Sequence, residues 1–243
     1  MNPRRILITG ANGTLGHATA LYFLSHDPEC HVFLGVRERR DQAEALAAQH
    51  PGRVFLCSLE VTSEESWKAA IQEIEAVSGP LSVLINNAGY HDDALLASMT
   101  TAQWSGVLDA NLSAVFLGCQ AALQPMMRQR WGRIINVSSL SALHSPAGQT
   151  NYAAAKAGVL GLTQSLAKET GRMGVTVNAI CPGHIEGALP ATWTEDQIKA
   201  VRRETPMRRF ARPDEIAAAV FFLASADASY ITGISLKLDG GLV

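Results

Sequence analysis

A short apolar, partly β-branched run, Arg5-Ile6-Leu7-Ile8-Thr9, stops at the turn TGANGTLG, which sets glycines at positions 10, 13 and 16. A strand that ends at Gly10 and gives way to a helix, predicted from Thr14 to about His26, opens a strand-turn-helix unit. In that context each glycine has a task. Gly10 makes the tight turn, Gly13 lets the backbone come close to a pyrophosphate, and Gly16 lets the helix pack closely on the strand, with its N-terminus facing the phosphates. Asn12, Thr14 and Leu15 share the turn and are candidate dinucleotide contacts. A glycine-rich turn alone is compatible with a plain loop, and its place between strand and helix is what gives it meaning.

The same alternation continues to the end of the chain. Strand patterns fall near residues 5–9, 31–36, 53–57, 81–86, 133–138, 175–181 and 234–238, with helical patterns between them. Short turns and long crossovers predict an α/β fold: a single-domain Rossmann architecture over residues 1–243, with a doubly wound seven-stranded parallel sheet and helices on both faces. In such a fold ligands lie at the carboxyl ends of the strands. With 243 residues, 47% of them hydrophobic, the chain can bury one large core. The segment 183–205 is polar, contains Pro190 and the helix-start pattern WTEDQ, and is long for a connection, so it is expected to form a mobile lid.

A net charge of -2 and a pI near 6.4 give no basic footprint for nucleic acid. An apolar stretch such as 217–224 is far short of the roughly 18 residues that span a bilayer, and no signal-peptide pattern precedes the first strand, so a cytoplasmic protein without membrane contact is expected. Cys30, Cys57, Cys119 and Cys181 are scattered and read as small buried hydrophobes. His91, His144 and His184 fall in loops beside the expected cleft, and His144 and His184 are candidate substrate contacts. No His, Cys or carboxylate spacing suggests a metal site.

The end of the second strand decides which dinucleotide fits. An acidic residue there would bind the ribose 2′-hydroxyl of NAD, whereas this chain has Val36 followed by Arg37, with Arg39 and Arg40 close behind. Positive charge at that point favours the 2′-phosphate of NADP. The bland alternative is a solvated basic start to the next helix.

Further along, GRIINVSSLSALHSPAGQTNYAAAKAG carries Ser139 at the end of a strand and Tyr152 and Lys156 four apart on a helix, so that both point the same way. A phenol with a reference pKa of about 10 needs a cation beside it to exchange protons near neutrality. Lys156 is placed to be that cation, and Ser139 to hydrogen-bond the oxygen being reduced or oxidised. The same spacing also occurs on ordinary half-exposed helices.

Together these motifs resemble the short-chain dehydrogenase/reductase family, over nearly the whole chain. The resemblance implies that Asn86-Asn87-Ala88-Gly89 lies along the adenosine side of the cofactor, with Asn87, Ala88 and Gly89 in contact. It also implies that Asn111 is a fourth catalytic residue holding a water against the lysine, and that Pro182, Gly183 and Ile185 meet the nicotinamide end. Without the family, Asn111 would be an ordinary helical residue, and Asn178 reads as a structural hydrogen bonder.

Within the family the chain is most similar to the 3-oxoacyl-(acyl-carrier-protein) reductases in NNAGYHDDALLASM, QTNYAAAKAGVLGLTQSLAKE and MGVTVNAICPGHIE; acetoacetyl-CoA reductases and some polyketide ketoreductases are similar in the same places. That likeness implies NADPH-dependent reduction of a β-ketoacyl thioester carried by acyl carrier protein or CoA, in a homotetramer. It makes Arg130 and Arg172 candidates for gripping an acidic carrier; Arg128 and Arg133 also flank Trp131 in a basic surface cluster. The alternatives are oxidoreduction of another small ketone or secondary alcohol and, from a different class, a dinucleotide-binding regulator without chemistry.

Three departures stand out. The glycine spacing differs from the TGxxxGxG of many relatives. Glu60-Val61 replaces an Asp-Val or Asn-Val pair near the adenine, leaving the Val61 N–H as the surer contact. Gly187 stands where a threonine is common.

Overall fold

In the computed structural model, which describes residues 3–190 and 193–243, every strand pairs in parallel. The strands are β1 (Arg5–Thr9), β2 (His31–Val36), β3 (Val54–Ser58), β4 (Val83–Asn86), β5 (Gly132–Val137), β6 (Val175–Pro182) and β7 (Ser235–Leu238). Their order across the sheet is β3-β2-β1-β4-β5-β6-β7. β1 therefore has β2 on one side and β4 on the other, and the direction of winding reverses there, which opens a crevice above the carboxyl end of β1.

Side chains alternate between the faces of a strand, so each buried run feeds two cores. Ile6, Ile8, Val32, Leu34, Ile85 and Ile135 face α1 (Thr14–His26), α2 (Asp41–Gln49) and α8 (Pro213–Leu223). Leu7, Phe33, Leu84, Ile134 and Val177 face α3 (Glu64–Ser78), α5 (Ala114–Arg128) and α6 (Thr150–Thr170). The expected seven-stranded, doubly wound sheet is what forms, with strand ends within two residues of the predicted ones.

Buried amides fix the second layer. Asn86 Nδ2 donates to Asn136 Oδ1 at 2.9 Å, and Asn136 Nδ2 donates to Thr163 Oγ1 at 2.9 Å, tying β4 to β5 and β5 to α6. Asn178 donates to Ile231 O and accepts from the Ile234 N–H, the structural role its surroundings suggested. All four cysteines are free and buried, and burial pushes the Cys57 and Cys119 thiols up to about 12.

α4 (Thr101–Leu108) and α5 form one 28-residue helix, Thr101–Arg128, joined by a π-helical turn. Its length and an 18-residue window of mean hydropathy 1.3 match those of a membrane span, although polar residues interrupt its apolar runs. Its apolar face instead packs on α3, α6, β4 and β5, the situation of a core helix.

Candidate active site

At the carboxyl end of β1 the turn behaves as its glycines require. Gly10 has φ +63°, and a Cβ at Gly16 would lie 2.5 Å from Gly10 O and 2.9 Å from Ala11 Cα, so α1 packs on the turn only without a side chain there. Gly13 meets little but Gly10 O at 3.4 Å. Its backbone is thus open to a cleft of about 1040 Å³, lined by Gly10, Asn12 to Leu15, Arg37 to Arg39, Leu59 to Thr62, Asn87 to Tyr90 and Ala188. A bare-backbone cradle before a helix N-terminus fits a dinucleotide's pyrophosphate.

Several predicted contacts serve differently from the way the sequence suggested. Asn12 lines the cleft, and its side chain is bonded to the start of α2: Oδ1 accepts from the Gln42 and Ala43 N–H groups and Nδ2 donates to Asp41 at 2.9 Å. Asn87 Nδ2 donates to Thr9 O and Gly10 O, and Thr9 Oγ1 accepts from the N–H groups of Asn87 and Ala88. The NNAG turn is therefore pinned to the glycine turn by the Asn87 amide and presents backbone to the cleft. The Ile185 side chain is buried in the core. Gly187, the missing threonine, has φ +76°, and its carbonyl accepts from Thr14 Oγ1 at 3.1 Å, so the stretch after β6 is latched to the glycine turn.

Ser139, Tyr152 and Lys156 stand together after the carboxyl end of β5 and at the start of α6. Ser139 follows β5, and its Oγ accepts from the Ser141 N–H at 3.1 Å. Tyr152 and Lys156 lie in the first two turns of α6, and the lysine Nζ is 5.6 Å from the phenol ring centroid. Lys156 is 3% exposed, donates to Val137 O at 2.9 Å and is lowered to about 8 by burial. Burial also raises the Tyr152 phenol; hydrogen bonding to Ser139 lowers it and the Asp93 carboxylate raises it. Asp93 belongs to a polar chain legible only in three dimensions: it pairs with His91 at 3.4 Å and accepts from Gln149 Nε2 at 2.8 Å, and Gln149 Oε1 accepts from Ser141 Oγ at 2.9 Å.

Asn111 occupies the π turn, and its own amide accounts for the irregularity. Nδ2 donates to Tyr90 O at 2.7 Å and to Val107 O at 2.9 Å, the carbonyl that an α-helix would offer to the Asn111 N–H. Its buried Oδ1 has no partner among the described residues. A Cβ on Gly89 would lie 2.3 Å from that oxygen and 3.5 Å from Lys156 Nζ, so both groups converge above Gly89.

Other candidates lie elsewhere. His184 packs on Trp193 and Phe210 and lines a separate cavity of about 390 Å³ with Thr205, Arg209 and Asp239, while His144 is exposed just after Ser139. Arg130 and Arg172 precede β5 and β6, at the amino rim of the sheet; Arg172 lies beyond the far end of α6, about 30 Å from Tyr152 at the rise of a helix. The basic cluster around Trp131 dissolves: Arg133 is buried, stacked 4.6 Å from the Trp131 ring and bonded to Ser225 O, and Arg128 pairs with Glu75. Arg37 pairs with Glu60 at 2.9 Å. Ala191 and Thr192 of the expected lid lie outside the described residues. No cluster of three His, Cys, Asp or Glu suited to a metal occurs among the described residues.

A cleft that opens on bare backbone, with a buried ammonium behind its Gly89 wall and a phenol beside that ammonium, defines a dinucleotide-dependent oxidoreductase. A family model described as "Enoyl-(Acyl carrier protein) reductase" matches residues 10–243. Nodulation protein G of Azospirillum brasilense is 42% identical over 100% of this chain and 99% of its own. The 3-oxoacyl-(acyl-carrier-protein) reductase of Thermotoga maritima is 38% identical over 98% of this chain and 96% of its own, and the acetoacetyl-CoA reductase of an Acinetobacter species 36% over 97% and 96%. The chain belongs to the short-chain dehydrogenase/reductase family, whose cofactor is a nicotinamide dinucleotide.

Proposed function

We propose that this protein reduces a β-ketoacyl thioester to the β-hydroxyacyl thioester with NADPH, the acyl group being carried by acyl carrier protein or CoA. The observation that carries this reading is the Tyr152 phenol, bonded to Ser139 and beside Lys156, whose ammonium meets Asn111 Oδ1 above Gly89 of the nucleotide cleft, in a chain whose relatives include reductases of both kinds of thioester. When bound, the cofactor supplies the hydride; Gly10 to Gly16 and the backbone of Ala88 and Gly89 would hold it, with Val61, Pro182 and Gly183 at its two ends.

The chain's own residues manage the oxygen and its proton. Ser139, whose Oγ accepts from the Ser141 N–H and whose hydroxyl bonds the Tyr152 phenol, would turn its proton to the substrate oxygen. Tyr152 gives its proton to that oxygen as the alcohol forms. The Lys156 ammonium then stabilises the phenolate, and Asn111 Oδ1 positions a proton relay beside Lys156. Because burial keeps the phenol protonated, Tyr152 is poised as an acid, which suits the reducing direction. Residues 183–205 act as a lid in this single-domain protein, latched through Thr14 and Gly187.

We further propose a homotetramer. Arg130 and Arg172, far from Tyr152 of their own chain, would then meet an acidic carrier only at a neighbouring subunit's cleft. Reversing both charges should raise KM for a carrier-bound substrate and leave that for a CoA thioester unchanged.

The test of the reading is a panel with NADPH: acetoacetyl-acyl carrier protein, acetoacetyl-CoA, crotonyl-CoA and simple ketones. Turnover of the two keto thioesters and not of the enoyl thioester supports it. Activity confined to the enoyl thioester or to simple ketones refutes it.

A further inference from the structure

The arginine that marks the second strand's end is already engaged. Arg37 Nη1 lies 2.9 Å from Glu60 Oε2 and its Nε 3.5 Å from Glu38 Oε1. Glu60 is the anchored member of the pair: its Oε1 accepts from the Thr62 hydroxyl at 2.8 Å and the Thr62 N–H at 3.2 Å, and its own N–H donates to Ser66 Oγ at 2.9 Å. The Arg37 side chain is 62% exposed and held by little besides these carboxylates. Arg40 is bound to its surroundings, Nε to Arg37 O and Nη2 to Ser58 Oγ. Arg37, Arg39 and Arg40 are thus matched by the acidic Glu38, Asp41 and Glu60, and this corner of the cleft carries no excess of positive charge.

We propose that Glu60 is a specificity-determining residue that competes with the nucleotide's 2′-phosphate for the Arg37 guanidinium and so holds down the preference for NADP over NAD. The inference rests on the reading of Arg37 as the phosphate's partner. A dianion entering here must take the guanidinium from a fixed carboxylate and remain near that carboxylate's charge. A nucleotide with a free 2′-hydroxyl disturbs neither. The chain therefore has the arginine of an NADP enzyme and, one strand away, a built-in brake on its use.

Glu60→Gln keeps the amide oxygen for Thr62 and removes the charge. Isothermal titration with 2′,5′-ADP and with 5′-ADP isolates the phosphate from the chemistry of the whole cofactor. Glu60→Gln should tighten 2′,5′-ADP by about three- to tenfold, the scale expected for releasing an exposed ion pair and its repulsion, while 5′-ADP changes less than about twofold. The gain should shrink as salt is raised and be smaller when Glu60→Gln is added to Arg37→Gln, where only the repulsion is relieved. Unchanged or weaker 2′,5′-ADP binding in Glu60→Gln, or an equal change for both nucleotides, overturns the proposal. Arg37→Gln alone separates the two ideas: it should weaken 2′,5′-ADP and spare 5′-ADP, and if 2′,5′-ADP binding is unchanged or both nucleotides weaken equally, the NADP assignment itself fails.

Discussion

Replacing Lys156 by methionine should abolish activity and change the protein's stability in a pH-dependent way, increasingly in the variant's favour as pH falls. The ammonium is 3% exposed, and its one hydrogen bond goes to Val137 O, so its burial is poorly compensated and its pKa falls from 10.5 to about 8. The unfolded lysine holds its proton up to the ordinary value, the folded one only to about 8. Between those values the unfolded chain binds more protons, and the stability of the wild type rises with pH. Below about pH 7 the full penalty applies, about 3 kcal/mol from a shift of that size at about 1.4 kcal/mol per unit; near pH 9.5 about 1.4 kcal/mol remains. Methionine keeps the apolar stem and has no charge, but leaves Val137 O without its donor, at a pH-independent cost of about 1–3 kcal/mol. The quantity to measure is therefore the change in the difference between variant and wild type, in which every other titrating group cancels. That change should be about 2 kcal/mol from about pH 9.5 to about pH 6.5, in favour of the variant at the lower pH, and roughly 4–8 °C in relative Tm for a chain of this size. Thermal melts of both proteins without nucleotide would read it. A difference independent of pH would refute the account of Lys156 as a desolvated ammonium.

Tyr152→Phe should lower kcat by roughly 10²- to 10⁴-fold with nucleotide Kd unchanged, checked by turnover beside fluorescence titration. Asp93→Asn removes the carboxylate that, after burial, raises the Tyr152 phenol, so the rise of alcohol oxidation with pH, as the phenol becomes the phenolate base, should move to lower pH; a shift to higher pH would contradict the geometry. Gly16→Ala drives a methyl to 2.5 Å from Gly10 O and should cost about 1–3 kcal/mol in denaturant unfolding while weakening nucleotide binding. Asn111→Ala frees Val107 O from the side-chain amide and removes the acceptor near Lys156; kcat should fall by at least about tenfold with KM little changed.

The sheet was legible because buried parallel strands are near-continuous aliphatic runs, as in Ile6-Leu7-Ile8 and Val83-Leu84-Ile85, each bounded by turn residues. The glycine turn and the Tyr152/Lys156 pair were legible because local geometry alone determines their use. What stayed hidden depends on where a side chain turns after the chain has folded. Asn12 looks like a nucleotide contact in sequence, and only the approach of α2 shows its amide committed to Gln42 and Ala43. Glu60 was visible as an odd residue, and its hold on Arg37 required the parallel pairing of β2 with β3. Arg130 and Arg172 were assigned by likeness, and topology puts them at the amino rim, since each precedes a strand whose other end bears the site. The π turn at Asn111 leaves no mark in hydrophobic periodicity, because it arises from one side-chain amide taking a backbone carbonyl.

The central claim is that this protein reduces the keto carbon of a β-ketoacyl thioester, with Tyr152 supplying the proton. Its most direct test is the product formed from acetoacetyl-CoA and NADPH deuterated at the transferable position of the nicotinamide, analysed by mass spectrometry for the wild type and Tyr152→Phe. The account predicts 3-hydroxybutyryl-CoA with one deuterium on the former carbonyl carbon, and almost none from the variant. Absence of labelled product from the wild type, or equal yield from the variant, would contradict it.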